Sequence, residues 1–248
     1  MSEASEKKLA TIRGLLAKAE DPAATKPEAE AFMAKATELM AKYGVDRALL
    51  AASDPTSDAI GDKRITVPGP YAMAKALLLY SIAEALGVKG ARIQRRKGKA
   101  TGDQVLVLVG MESDLERVEL IYTSLLVQAL RFQTWDYSRD PLAWAQPKKW
   151  KRDYMDGFRT TVVPRIEQAE ARARQEAQEA PQGSGPSVAL VLVTKAELVS
   201  RAYEEKFPNA RASSSSRPVG AGYGVGMDAG NRADIGGTRI ATGRKAIS

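Results

Sequence analysis

The sequence predicts an α+β protein: an N-terminal antiparallel helical hairpin followed by a helix-rich domain around a small sheet. Three observations lead there. Apolar residues recur at helical spacing through the first 50 residues and again through several later segments. A few short apolar runs, QVLVLV (104–109) above all, lack the alternation of a half-exposed strand, as strands buried on both faces do. Turn-forming clusters at 52–62 (ASDPTSDAIGD) and 181–187 (PQGSGPS) break the chain. The expected organisation is a hairpin module over 1–51, a linker over 52–62, a mixed core over 63–180 and a second linker over 181–187. A strand–helix unit with a glycine-rich tail completes the chain over 188–248.

In the hairpin, Leu9, Ile12, Leu15, Leu16 and Ala19 form one apolar stripe, and Asp21-Pro22 ends it. Thr25-Lys26-Pro27-Glu28 restarts the helix as a capping box with proline in the first turn. Phe32, Met33, Ala36, Leu39, Met40 and Tyr43 continue the stripe, and Gly44 is the expected C-terminal cap. Lys63–Val67 reads as a short strand. Tyr71–Leu86 reads as an apolar helix closed by Gly87. Two strands, Lys89–Gln94 and Gln104–Val109, flank a basic turn. A long amphipathic helix is expected from Gly110 to about Trp135. Another follows Pro147, with a kink or break near 160 caused by Pro164. Its continuation EQAEARARQEAQEA is charged all round and is expected to project into solvent. Val188–Val193 reads as an apolar strand before a second capping box at Thr194-x-x-Glu197. That segment echoes LVLVGMESDLERV (106–118), so both read as strand-to-helix units.

Composition closes off several functions. The 248 residues include no histidine and no cysteine. Imidazole general acid–base catalysis, thiolate chemistry, disulfides and the usual zinc, copper and haem ligands are therefore excluded. Carboxylate chemistry with hard cations, lysine chemistry and non-catalytic binding remain. No cofactor or metal is implied by the residues. The most apolar stretch, Ala72 to Val88, is interrupted by Lys75, Ser81 and Glu84. It falls short of the roughly 18–20 apolar residues of a membrane span. The opening MSEASEKK has no apolar signal core. The expectation is a cytoplasmic protein with no membrane partner.

The net charge of +7 is unevenly spread. Residues 63–110 carry nine basic and two acidic side chains, whereas residues 1–62 carry eight and eleven. A localised basic face is a polyanion footprint. Its centre is the turn bearing Arg92, Arg95, Arg96, Lys97 and Lys99. A hairpin tip of this kind can meet successive phosphates or enter a groove as a two-stranded ribbon. A second cluster interleaves Lys148, Lys149, Lys151 and Arg152 with Trp144 and Trp150. Either it holds phosphates with stacking support, or Trp150 is the first core residue of its helix with the lysines outside. The glycines at 220, 222, 224, 226 and 230 lack the strand–helix context of a dinucleotide site. They predict tight packing against a neighbouring helix or a flexible tail. Asp228 and Asp234 are candidate Mg²⁺ ligands, with an ion pair or a cap as the alternative role.

The opening KKLATIRGLLAKAEDPAATKPEAEAFMAKATELMAKYGVD resembles the N-terminal module of a bacterial and phage family called domain of unknown function 2786. LVLVGMESDLERVELIYTSLLVQA and GYGVGMDAGNRADIGG are similar to later parts of the same family. Pro164 and the glycines at 222–226 depart from its pattern. The resemblance implies no activity, ligand or catalytic residue.

The leading functional expectation is a non-catalytic protein that binds DNA or RNA through the basic turn and the 148–152 cluster. One alternative is an adaptor that docks a protein partner on the hairpin, whose outer lysines are Lys18, Lys26, Lys35 and Lys42. The other is a Mg²⁺-dependent phosphate enzyme built on carboxylates.

Overall fold

The computed structural model describes residues 3–21, 23–93, 102–180, 187–210 and 220–234. Helices α1 (Glu3–Glu20) and α2 (Lys26–Ser53) form the expected hairpin. The Glu28 carboxylate accepts the Thr25 backbone N–H at 3.0 Å and the Thr25 hydroxyl. These bonds hold its pKa below the usual carboxylate range. Gly44 is not a cap, because α2 continues nine residues beyond it. It is buried where α2 crosses α4 (Glu112–Tyr137), and a Cβ there would overlap the Arg117 guanidinium. Glycine is needed at that position for close approach, not for a turn.

A 3-10 turn at Pro55–Ser57 leads into β1 (Ile60–Val67), which begins inside the segment expected to be a linker. Helix α3 (Ala72–Ala85) ends on Gly87, whose φ is +78°. The Val88 N–H reaches the Ala83 carbonyl and the Gly87 N–H reaches that of Glu84, the pairing that closes a helix on a left-handed glycine. Strands β2 (Lys89–Ile93) and β3 (Gln104–Met111) follow. The sheet is antiparallel in the order β1-β3-β2, with Val67 opposite Gln104 and Lys89 opposite Val109.

As its unbroken apolar run predicts, β3 is buried on both faces. Leu106 and Leu108 enter the main core with Val67 of β1. Val105, Val107 and Val109 alternate to the opposite face, on the side of α7 (Val188–Lys206). There Tyr203 donates to the Gly90 carbonyl at 3.3 Å, and Lys206 reaches Asp62 at 2.6 Å.

The expected strand at Val188–Val193 is instead the first turns of α7. An apolar run of six cannot distinguish a buried strand from a buried helix by periodicity. Ser187 decides it locally by accepting the Leu190 N–H at 3.3 Å as an N-cap. Val188 and Val191 then face inward, and Leu190 and Val193 face out. Thr194-x-x-Glu197 lies inside the helix and starts nothing. The echo between 106–118 and 190–202 is therefore one of letters, not of structure.

Helix α6 (Pro147–Glu179) runs without a break through Pro164. Its charged second half does not project freely. Ile166, Glu170 and Ala173 are buried on one side, and Ala173 packs with Ala41, Val45 and Val188. A short helix, α5 (Pro141–Ala145), links α4 to α6.

The glycine cluster forms α8 (Ala221–Arg232), which packs along α6. Added Cβ atoms at Gly222 and Gly226 would overlap the carbonyls of Trp150 and Tyr154. At Gly230 a Cβ would lie 2.9 Å from the Phe158 carbonyl oxygen. Each step of four along α8 matches a step of four along α6, so the two helices run parallel at backbone contact. Tight packing of small residues is thus the role of these glycines. The main apolar core runs continuously from Leu9 to Ala233. No helix among the described residues is long and apolar enough to cross a membrane.

Candidate nucleic-acid interface

Of the basic turn, Arg92 alone is described. It sits exposed on β2 and donates to Gln104 Oε1 at 3.3 Å. Arg95, Arg96, Lys97 and Lys99 lie outside the described residues.

The second cluster occupies the start of α6, and Trp150 resolves its ambiguity. That indole is 2% exposed, stacks on Tyr154 at 5.1 Å and meets Tyr137 edge-on at 5.6 Å. Its Nε1 donates to Asp140 at 2.6 Å. Trp150 is a core residue. Lys148 and Lys149 are exposed on the outer side. Lys151 lies 4.5 Å from the centroid of the Tyr137 ring, and Arg152 bridges Asp153 at 2.9 Å.

Structure exposes Trp144, already part of the second cluster, and adds Trp135 and the arginines around it. Trp135, near the end of α4, is 51% exposed, and Trp144 on α5 is 68% exposed. The Arg139 guanidinium lies 3.9 Å from the Trp135 ring centroid and that of Arg232 5.6 Å from it. Arg131 is exposed one turn earlier on α4. No helical spacing signals this pair, because Arg139 lies in the turn beyond the end of α4 and folds back over Trp135.

The acidic residues of this region are all engaged internally. Asp136 is buried, accepting from the Tyr154 hydroxyl at 2.8 Å and pairing with Arg232 at 2.5 Å. Burial, reinforced by that carboxylate, pushes the Tyr154 hydroxyl pKa far up. Asp140 caps α5 through the Leu142 N–H at 2.9 Å while holding Trp150. Asp153 is buried beside Arg152. The charged side chains left exposed over 131–152 are cationic, and they share that surface with Trp135, Trp144, Leu142 and neutral polar residues.

A second polar centre, also missed from sequence, lies inside the molecule. Arg117 is 2% exposed and binds Asp114 at 2.9 Å and Glu170 of α6. Lys195 of α7 reaches the other oxygen of Asp114 at 2.5 Å. Burial raises the Glu170 pKa, opposed by the Arg117 charge. Nearby, Asp58 accepts the Ser113 N–H at 3.1 Å and its hydroxyl at 2.6 Å, with Arg47 3.7 Å away. Asp58 thereby caps α4 from outside its own helix. These groups join α2, α4, α6 and α7 and, apart from the partly exposed Lys195, are buried, which is an architectural arrangement.

Pockets are poor. One hollow under the hairpin holds about 10 Å³, and an open groove of about 430 Å³ lies along α7. The first is at the limit for a single water. Among the described residues no group of three or more acidic side chains could hold a metal. Asp228 is exposed, and the Asp234 N–H donates to Gln128 at 2.9 Å.

The hairpin's inner stripe, from Leu9 and Ile12 to Met40 and Tyr43, is consumed by the main core. Comparison with known families places this element. Residues 7–47 match the model of a family described as "Protein of unknown function (DUF2786)". No curated protein and no solved structure matches the chain. On the outer side of the DUF2786 segment, Lys35 and Lys42 each pair with Glu38 at 3.0 Å. Lys42 also meets Glu176 of α6 at 3.1 Å, and Lys18 lies 5.5 Å from the Phe32 ring centroid. The Lys26 side chain lies outside the described ones. The DUF2786 segment thus spends its apolar face, and several of its cations, on this same molecule.

Proposed function

We propose that the protein associates with nucleic acid through the face formed by the end of α4, α5 and the start of α6, with the 92–99 turn as a second phosphate contact. The observation that supports this most is the sorting of charge over 131–152. Asp136 and, just beyond, Asp153 are buried, and Asp140 is half-buried with both its oxygens bonded within the protein. Arg131, Arg139, Lys148 and Lys149 are exposed. Such a surface attracts phosphates through counterion release, with affinity that falls steeply with salt. The reading is of a binding protein, and no reaction is assigned to it.

The test is fluorescence anisotropy with DNA and RNA oligonucleotides over a salt series. Wild type is expected to bind with a steep salt dependence. Lys148→Ala/Lys149→Ala is expected to bind more weakly, with a slope shallower by about one for each phosphate that is no longer neutralised. An Arg95→Ala/Arg96→Ala/Lys97→Ala/Lys99→Ala variant, assayed beside it, measures the share of the turn. Absence of binding by the folded wild type at low salt overturns the proposal.

A further inference from the structure

Resting on that reading, we propose that the preferred ligand is single-stranded, with Trp135 and Trp144 as platforms for its unpaired bases. A surface that met phosphates alone would need only cations. This one also exposes two indoles, on adjoining helices joined by the short turn at 138–140. Tryptophan has a large apolar surface, and leaving it in water forgoes the gain of burying it. The third tryptophan, Trp150, is fully enclosed by the same elements, so the core is able to accept indoles.

Cations surround the two exposed rings. The Arg139 guanidinium stacks over Trp135 and Arg232 lies farther over the same ring, so a base there meets a guanidinium–indole pair. Lys148 follows Trp144 four residues on. Among the described residues no aromatic ring or cation lies over Trp144. Ring faces beside cations are the combination that binds single strands: bases stack on the aromatics while the backbone follows the positive charge. In a duplex the base faces are already stacked on one another, and the indoles would gain little. The expected preference is for length and charge, with little dependence on base identity.

The inference predicts a specific spectroscopic response. Of the three tryptophans, two are exposed at the proposed site and one is buried. Titration with a poly-dT oligonucleotide, a poly-A RNA oligonucleotide and a duplex of equal length should quench the emission with both single strands and much less with the duplex. Trp135→Ala and Trp144→Ala should each weaken single-strand binding by about 5- to 100-fold while leaving the salt slope unchanged. Trp→Phe at either position should restore most of that loss. The circular dichroism of each variant should match wild type, because neither ring belongs to the core.

Salt-dependent binding of duplex and single strand with equal affinity and no quenching would overturn this inference and leave the nucleic-acid reading standing. Failure to bind any of the three oligonucleotides would overturn both. A blue-shifted emission that grows with protein concentration alone would show the indoles covered by a second copy of the chain, and would likewise overturn it.

Discussion

Replacing Arg117 by alanine leaves the buried Glu170 carboxylate without its paired cation, while Asp114 keeps only Lys195. Breaking a buried pair in this way costs about 3–5 kcal/mol, far more than the pair contributes relative to an apolar substitute. Urea denaturation at neutral pH should show that loss for Arg117→Ala. Its pH dependence has a definite sign. Without the guanidinium, burial holds the Glu170 carboxyl above its unfolded pKa, so the folded state binds more protons than the unfolded one. Stability of the variant relative to wild type should therefore recover as pH falls and decline as pH rises through that range. A constant deficit at all pH values would mean that the space, not the charge, sets the cost. The glycines of α8 offer a contrasting pair. Gly226→Ala puts a methyl into the Tyr154 backbone carbonyl and should destabilise by about 1–3 kcal/mol. At Gly224 nothing lies within 4 Å of an added Cβ. Gly224→Ala should be neutral or stabilise by up to about 1 kcal/mol through helix propensity.

At the scale of elements, Pro164 is the clearest case of tertiary packing overriding a local preference. Its ring removes the hydrogen bond that a residue at 164 would make to the Thr160 carbonyl, yet α6 continues for fifteen residues beyond it. Packing on both sides holds the helix. Phe158 and Val162 lie in the core before the proline, and Ile166 and Glu170 are buried after it. Pro164 itself is exposed. Pro164→Ala should therefore raise stability by up to about 3 kcal/mol in thermal or urea unfolding. The same competition explains what the sequence can and cannot reveal. The hairpin, α3 with its Gly87 cap, and both faces of β3 are legible because each depends on signals within a few residues. Gly44 misleads because its role is set by Arg117, a residue far along the chain on another helix. The 167–179 segment misleads because one buried glutamate and one alanine suffice to anchor it, and neither stands out among charges. At the candidate interface, Lys148 and Lys149 are legible as cations, while Trp150 is ambiguous from spacing alone. The inward turn of Asp136 and Asp140 is not legible, since it depends on Tyr154, Trp150 and Arg232 meeting them in space.

For the whole molecule, one apolar core carries residues from the hairpin, the sheet and the final helix, so these parts should unfold together. Tyrosines buried in that core, or half-buried against it as Tyr80 is, provide a test. Burial, followed by the Glu84 carboxylate that accepts its hydroxyl at 2.8 Å, pushes Tyr80 up to about 12. Burial alone pushes Tyr122 up to about 12. Tyr43 and Tyr154 are raised as well, again chiefly by burial. In an unfolded chain a tyrosine ionises near pH 10. The folded state therefore keeps protons that the unfolded state releases. The stabilisation from these groups is complete below about pH 10 and is lost as pH rises through about 12. Alkaline titration should show tyrosinate absorbance from the buried residues and loss of helical circular dichroism at one shared midpoint. Tyr122→Phe should move that midpoint to higher pH, because it removes one of the groups that drive unfolding. Two separated midpoints would divide the core into independently stable parts, and would require the hairpin or the α6–α8 pair to be treated as a unit of its own.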